Sequence, residues 1–182
     1  MKRICMVLVL AVITAAVCGC GSGKQEASTN IVSEFSDIIK TYYIQKDTGA
    51  EELAGDMFSG DIYKYLNLKI SDCRHRAEQE NIQKQNYTVK TKLLERIDSE
   101  DYKTLKYQAV SSFNYEGMSE DTTVSEVVYI VYENESGRIV NFAVPGDNFD
   151  RGITDSDVSL DDYEPKAFVM TDEIRSRINK LS

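Results

Sequence analysis

The stretch TVSEVVYIVYENESGRIVNFAV, residues 123–144, decides the fold because two runs rich in β-branched and aromatic residues flank a short polar connection. Residues 123–133 and 139–144 each predict a β-strand. The connection NESG at 134–137 predicts a tight turn, and therefore an antiparallel hairpin. An antiparallel sheet is thus the starting point for reading the rest of the chain.

The predicted strand 123–133 is apolar on both of its faces. Alternation places Val128, Ile130 and Tyr132 on one face and Val127, Tyr129 and Val131 on the other. An antiparallel strand with one solvated face would alternate apolar with polar residues, so this strand is expected to be central and covered on both sides. We expect the amino-terminal helices to cover one face, and the tail from Glu164 onward, a ligand or a second subunit to cover the other.

The two segments before the hairpin also have the period of two that is typical of strands. Residues 87–93 alternate Tyr, Val, Thr and Leu with Thr and Lys, and residues 105–115 alternate in the same way. Polar turns are expected at 98–101 and 117–121. These segments predict a meander of four strands that ends at Pro145.

Before the strands, apolar residues repeat at helical spacing. Residues 31–43 have the i, i+3, i+4, i+7 pattern of an amphipathic helix. The stretch TGAE at 48–51 matches a capping box and predicts a second, short helix ahead of a break at 59–61. After that break, the spacing predicts a third helix over 62–83.

The amino terminus has the pattern of a secretory signal peptide. Lys2 and Arg3 supply a basic start, and residues 4–17 form an uncharged stretch. As a helix this stretch would be about 21 Å long, which is shorter than a bilayer core of roughly 30 Å. We therefore expect residues 1–19 to be a cleaved signal peptide.

The sequence VCGC at 17–20 resembles the bacterial lipobox, which has an aliphatic residue at −3 and a small residue at −1 before the acylated cysteine. It departs from the commonest form in having Val17 at −3 and Cys18 at −2. The resemblance implies that Cys20 carries diacylglycerol and palmitate-type acyl chains, which hold the protein on the extracytoplasmic face of the cell membrane. Lipidation at Cys18 and a plain secreted protein are the alternatives.

The organisation that follows has four parts. Residues 1–19 are the lipoprotein signal peptide, and residues 20–30 are the lipidated cysteine with a small, polar, flexible tether that spans roughly 17 Å. Residues 31–147 form one α+β domain. Residues 148–182 are an acidic linker and a short terminal helix at 171–181. Only Cys73 remains as a thiol in the domain, so no intramolecular disulfide is expected.

A long amphipathic helix, shorter helices and an antiparallel meander over residues 31–147 look like the nuclear transport factor 2-like or cystatin-like fold. The resemblance rests on the order and length of the elements, and it implies amino-terminal helices packed on a curved sheet of about four strands. Families with this fold include ketosteroid isomerase-like enzymes, binding modules of bacterial surface lipoproteins and assembly domains of conjugation machinery. The fold therefore leaves the function open.

Composition excludes several classes of function. The chain has 182 residues, of which 42% are apolar and 28% charged, as expected of a folded domain rather than a disordered one. Removing Lys2 and Arg3 from the 21 basic residues leaves 19 against 30 acidic ones, a net charge of −11. No nucleic-acid partner is expected, because phosphate binding needs clustered positive charge.

Cys73 and the single histidine, His75, invite interpretation as a nucleophile and its base. Residues i and i+2 of a helix do not face each other, which argues against that interpretation. Cys73 falls on the apolar stripe of the third helix, whereas His75 falls on its polar side. We therefore expect no catalytic residue here, and no zinc site, since His75 has no supporting ligands.

Residues 147–164 are strongly acidic. The acidic residues are Asp147, Asp150, Asp155, Asp157, Asp161, Asp162 and Glu164, against Arg151 alone. Asp155, Asp157, Ser159 and Asp161 imitate a calcium loop, but Leu160 and Lys166 replace its glycine and its bidentate glutamate. A solvated linker is expected instead, with no metal or other cofactor, and a docking surface for a basic partner is the alternative.

The sequence predicts a membrane-anchored, non-enzymatic binding or assembly module of the bacterial envelope, whose partner is a protein or a second copy at the sheet face. A lipoprotein that binds a small ligand between the helix 31–43 and the sheet is the alternative. An isomerase-like enzyme is a further alternative, and it would need a carboxylate in an apolar pocket. Asp56 and Asp61, near the ends of short helices, are candidates for that carboxylate, although capping explains them equally well.

Overall fold

The computed structural model describes residues 22–145 and 159–181. The chain forms helix α1 (Ser22–Thr48), a 3₁₀ turn (Gly55–Met57), helix α2 (Gly60–Gln79), strands β1 (Lys84–Asp98), β2 (Tyr102–Tyr115), β3 (Thr122–Glu133) and β4 (Arg138–Ala143), a second 3₁₀ turn (Leu160–Asp162) and helix α3 (Asp172–Leu181). The predicted signal peptide, Cys20 and most of the predicted acidic linker lie outside the described residues.

The four strands form one antiparallel sheet in the order β1-β2-β3-β4. Tyr107 of β2 pairs with Val128 of β3, and Ile130 of β3 pairs with Phe142 of β4. Gly137 has a φ of 66° in the β3–β4 turn, a conformation that glycine adopts without strain. The predicted α+β fold and the four-strand meander are confirmed.

The main core lies between the two long helices and one face of the sheet, which we call the inner face. Phe35, Ile39 and Tyr42 of α1 are fully buried there, as are Ile130 and Phe142 of the sheet. The rings of Tyr42 and Phe142 lie 4.9 Å apart, in the range of favourable aromatic contacts. Large apolar side chains therefore fill the space between α1 and the sheet.

Helix α1 is longer than predicted at both ends. It begins at Ser22, so residues 22–30 are helical where a flexible tether was expected. The segment contains the helix formers Lys, Gln, Glu and Ala, and extending an existing helix costs far less than nucleating one. Helix α2 is the third helix that the spacing predicted over 62–83, and it begins at Gly60 and ends at Gln79.

The predicted second helix is wrong. Thr48 is the last residue of α1, where its hydroxyl donates to the Ile44 carbonyl at 2.7 Å instead of capping a new helix. Gly49 follows with a φ of 74°, and its amide donates to the Gln45 carbonyl. This is the left-handed glycine that terminates many helices, so the stretch predicted to start a helix ends one.

The other face of the sheet, the outer face, is covered by the chain's own carboxyl-terminal region. Residues 159–163, which we call the strap, place Leu160 and Tyr163 against Tyr129 and Ala143. Leu160 is only 3% exposed, which corrects the prediction of a solvated linker for this part of the segment. The sequence allowed the tail, a ligand or a second subunit to cover this face. Around Tyr129 the cover is the tail, and it begins at residue 159 rather than at the predicted Glu164.

After the strap, the chain runs along the edge of β4 toward α2. The side-chain amide of Asn141 donates to the Lys166 carbonyl at 3.2 Å, and the backbone amide of Phe168 donates to the Val140 carbonyl at 2.8 Å. The Phe168 ring then stacks on Tyr65 of α2 at 4.6 Å. These contacts shield the edge strand, and they lead into the predicted terminal helix, which is confirmed as α3.

Candidate functional site

A groove of about 550 Å³ runs between α1 and the irregular segment that follows it. We call it the α1 groove. Its lining residues are Asn30, Ser33, Glu34, Asp37, Ile38 and Thr41 of α1 and Glu52, Leu53, Ala54 and Met57 of the facing wall. The α1 residues are spaced i, i+3, i+4, i+7, i+8 and i+11, so they form one continuous stripe along the helix.

The α1 groove combines an apolar floor with acidic walls. Ile38 and Leu53 are buried in the floor, and Met57 is half-buried beside them. Within the part of the chain that the structure describes, the charged side chains of the lining are three carboxylates, those of Glu34 and Asp37 on one wall and of Glu52 on the other. The groove therefore offers an apolar contact flanked by negative charge on both sides.

Hydrogen bonds from α1 and α2 hold the facing wall in place. The Leu53 amide donates to the side-chain oxygen of Gln45 at 3.2 Å, and the Tyr63 hydroxyl donates to the Leu53 carbonyl at 3.5 Å. The Thr41 hydroxyl donates to Glu51 at 3.1 Å. Because the wall is fixed at these points, the groove exists in the unbound chain and needs no partner to form it.

A second recess of about 390 Å³ lies where α1 and α2 end beside the start of β1. The Asp47 carboxylate accepts a hydrogen bond from Lys84 at 2.7 Å and another from the Tyr87 hydroxyl. Lys84 also lies 4.5 Å above the centre of the Phe113 ring. Burial and then the bond to Asp47 raise the pKa of Tyr87. Both contacts occupy the carboxylate, so it clamps α1 to β1.

The Tyr43 hydroxyl is buried near this clamp and has no hydrogen-bond partner among the described residues. Burial, followed by the nearby Glu126 carboxylate, raises the pKa of Tyr43 well above the usual value for tyrosine. A hydroxyl that holds its proton so firmly is a poor general base. The raised pKa keeps the Tyr43 hydroxyl protonated near neutral pH.

The residues singled out from the sequence are not brought together into a catalytic arrangement. His75 is exposed and contacts Gln79 at 2.9 Å, while Cys73 is half-buried on α2. Asp56 and Asp61 are both exposed. His75 therefore lies on the solvated side of α2, as predicted, whereas Cys73 is only partly buried.

The predicted lipidation site lies outside the described residues, as do Asp155 and Asp157, the first two positions that imitate a calcium loop. Ser159, the third member of that set, is used by the fold, because its hydroxyl donates to Glu95 at 3.3 Å. Within residues 22–145 and 159–181, no three His, Cys, Asp or Glu side chains converge as a metal site. In the same part of the chain, no helix is long and apolar enough to span a membrane.

Sequence reasoning missed the α1 groove because its second wall was predicted to be a helix. The sequence does contain one feature of this region, a group of acidic residues that includes Glu51 and Asp56 as well as the three lining carboxylates. Such a group does not by itself reveal a groove.

The chain thus belongs to the α+β class, with two helices packed on a four-strand antiparallel sheet. Comparison with known proteins finds no matching family model, no matching curated protein and no matching solved structure.

Proposed function

We propose that the protein is a membrane-anchored, extracytoplasmic lipoprotein that acts as a non-enzymatic binding or assembly module and docks its partner in the α1 groove. The observation that carries the proposal is a preformed groove with an apolar floor and acidic walls on the helix that begins two residues after Cys20. The helix-then-meander order supports the nuclear transport factor 2-like resemblance, which stays part of this proposal.

The position of the groove along α1 suits a partner at the same membrane. At 1.5 Å of rise per residue, Asn30 lies about 12 Å and Thr41 about 29 Å along the helix from Ser22. A lipid on Cys20 would therefore hold the groove within a few tens of ångströms of the bilayer. Another envelope protein in that membrane would meet the groove without leaving the surface.

Two features support a binding role over the alternatives. A ligand between α1 and the sheet would have to displace packed rings such as those of Tyr42 and Phe142. An isomerase-like reaction needs a carboxylate held in an apolar pocket, whereas the two carboxylates that the sequence offered for it, Asp56 and Asp61, are both exposed. The strap covers the outer face of the sheet around Tyr129, which favours the α1 groove over that face as the docking surface.

The anchor is tested by producing the full chain in a bacterial host and comparing the Cys20→Ser and Cys18→Ser variants by membrane fractionation and intact mass. We expect the unmodified chain and the Cys18→Ser variant to stay in the membrane fraction after a high-salt wash, with the mass of the attached lipid. The Cys20→Ser variant should lose both. Membrane retention of lipidated Cys20→Ser would contradict the proposal.

The docking surface is tested by placing a photo-crosslinking amino acid at Ser33 in the groove of the membrane-bound chain. The matched control carries it at His75, which is exposed on α2 outside the groove. We expect a discrete protein adduct from position 33 and none of that mass from position 75. Equal adducts at both positions would point to random encounters.

A further inference from the structure

We infer that the partner segment of the α1 groove is a cationic amphipathic helix of about three turns, with Lys or Arg side chains beside an apolar stripe. This inference rests on the proposed function and specifies the chemistry of its partner. It follows from the charge, the floor and the length of the groove, each of which restricts the occupant separately.

The charges of the groove select a basic partner. Among the residues that the structure describes, Glu34, Asp37 and Glu52 line it, and no lysine or arginine does. Lys40 neutralises Asp37 in part at 2.8 Å, but the side chains of this pair are 38% and 68% exposed. Such exposed pairs contribute little, so a partner's cation can replace Lys40 at small cost. Negative charge on both walls also repels an acidic segment.

The floor of the groove requires apolar side chains as well as charge. Exposed ion pairs change an affinity only a few fold each, whereas burial of an apolar side chain against Ile38, Leu53 and Met57 supplies a stronger anchor. A purely polycationic segment would leave this apolar floor exposed to water. An amphipathic segment places apolar side chains on the floor and its cations beside the carboxylates.

The length of the groove fits a short helix. The lining stripe runs from Asn30 to Thr41, which is about 16 Å along α1. A partner helix of eleven or twelve residues covers the same distance in about three turns. Helices laid in grooves are commonly anchored by apolar residues at i, i+3, i+4 and i+7, and this span accommodates that set.

The chain offers a matched acidic surface without an apolar floor. A recess at the β1–β2 and β3–β4 turns is surrounded by the acidic residues Glu100, Asp101, Glu133 and Glu135, with Tyr102 and Asn134 as its other lining residues. General attraction of cations to this acidic protein would act there as well as in the α1 groove. Removing three charges from each place separates specific docking from that attraction.

The test uses the full chain in non-ionic detergent and a fluorescent twelve-residue helical peptide of Leu and Lys, with binding followed by anisotropy. One control peptide has Glu in place of Lys, and another has Ser in place of Leu. The groove variant combines E34Q, D37N and E52Q. The control variant combines E100Q, D101N and E135Q, which removes the same charge elsewhere.

We expect the Leu/Lys peptide to bind with a Kd on the order of 10 μM and both control peptides to bind at least tenfold more weakly. The groove variant should weaken binding about tenfold, and the control variant less than twofold. The variants change exposed side chains, and unchanged thermal unfolding will verify that both fold. Absence of binding, or equal weakening by the two variants, would overturn the inference.

The outcomes also separate this inference from the proposed function. A defined crosslink from Ser33 to an acidic or uncharged segment would reject the cationic partner and leave the docking role standing. A Leu/Lys peptide that binds the groove while Cys20→Ser stays lipidated at the membrane would reject the Cys20 anchor and leave the partner chemistry standing.

Discussion

The inner face of β3 is covered by two long helices, whereas its outer face around Tyr129 is covered by a strap of a few residues. Ile130, on the inner face, and Tyr129, on the outer face, are both essentially inaccessible to solvent. The inner cover joins a continuous core, while the outer cluster consists of Tyr129, Ala143 and Leu160 with Val127 and Tyr163 at its margin. Ile130 and Tyr129 are therefore equally buried, although the cluster around Tyr129 contains far fewer side chains than the core around Ile130.

The two covers also differ in the forces that hold them. The inner face depends on close packing of large apolar side chains, such as Phe35 and Phe142. The strap depends on Glu95, whose carboxylate accepts the Leu160 amide at 2.8 Å and the buried Lys106 at 2.9 Å. We therefore expect local opening of the strap to leave the main core intact, and opening of the inner face to unfold the domain.

The largest expected effect comes from the inner face, with Phe142→Ala. Phe142 is fully buried and contacts Tyr42, so truncation removes apolar burial and leaves a cavity. We expect a loss of about 3–5 kcal/mol in the free energy of unfolding, measured by urea denaturation. Leu94→Ala on β1, where the side chain is 41% exposed, is the control and should cost under about 0.5 kcal/mol. Similar losses for both would show that the inner face is not the dominant core.

The sequence predicted the inner face better than the outer one, for a physical reason. The pattern of residues 123–144 is local, and alternation alone places Val128 and Ile130 on the face that the helices cover. The strap depends on a hydrogen bond between Glu95 and Leu160, which are 65 positions apart, and no local periodicity encodes that pairing. Leu160 also stands among acidic residues, which favoured a solvated linker.

Gly49 shows a second limit of local patterns. A Thr–Gly–Ala–Glu stretch is compatible with the start of one helix or the end of another, and the choice depends on where the preceding helix stops. That choice also decided the site, because residues 52–57, which include the first 3₁₀ turn and not the predicted helix, form the wall that faces α1 in the groove. The spacing predicted the helix over 31–43 that supplies one wall of the groove, whereas the facing wall was not predicted.

An intermediate effect is expected from the strap, with Leu160→Ala. The substitution removes the main apolar contact that the strap makes with Tyr129 and Ala143. We expect the strap to open more easily by about 2 kcal/mol, which is roughly thirtyfold faster hydrogen exchange at the residue 160 amide. Exchange at the core strands should change much less. A loss in global stability as large as that of Phe142→Ala would show that the two covers unfold as one unit.

Glu95→Gln should have the smallest effect of the three substitutions, and that effect should depend on pH. The Leu160 amide and the Lys106 ammonium lower the pKa of Glu95 in the folded chain. The resulting stabilisation is therefore complete above the ordinary glutamate pKa of about 4.3, and it is lost as the pH falls through the lowered folded value. We expect Glu95→Gln to cost about 1 kcal/mol at pH 7, because the amide keeps one acceptor but loses the charge that faces Lys106.

Since the unmodified chain also loses that charge in acid, the difference between it and Glu95→Gln should vanish well below pH 4. Asp98→Asn is the matched control, because Arg96 lowers the pKa of Asp98 through an exposed contact away from the strap. Both variants should reduce the acid dependence of unfolding, but only Glu95→Gln should speed hydrogen exchange at the residue 160 amide near neutral pH. Equal exchange in the two variants would mean that packing of Leu160, rather than the Glu95 carboxylate, holds the strap on the outer face.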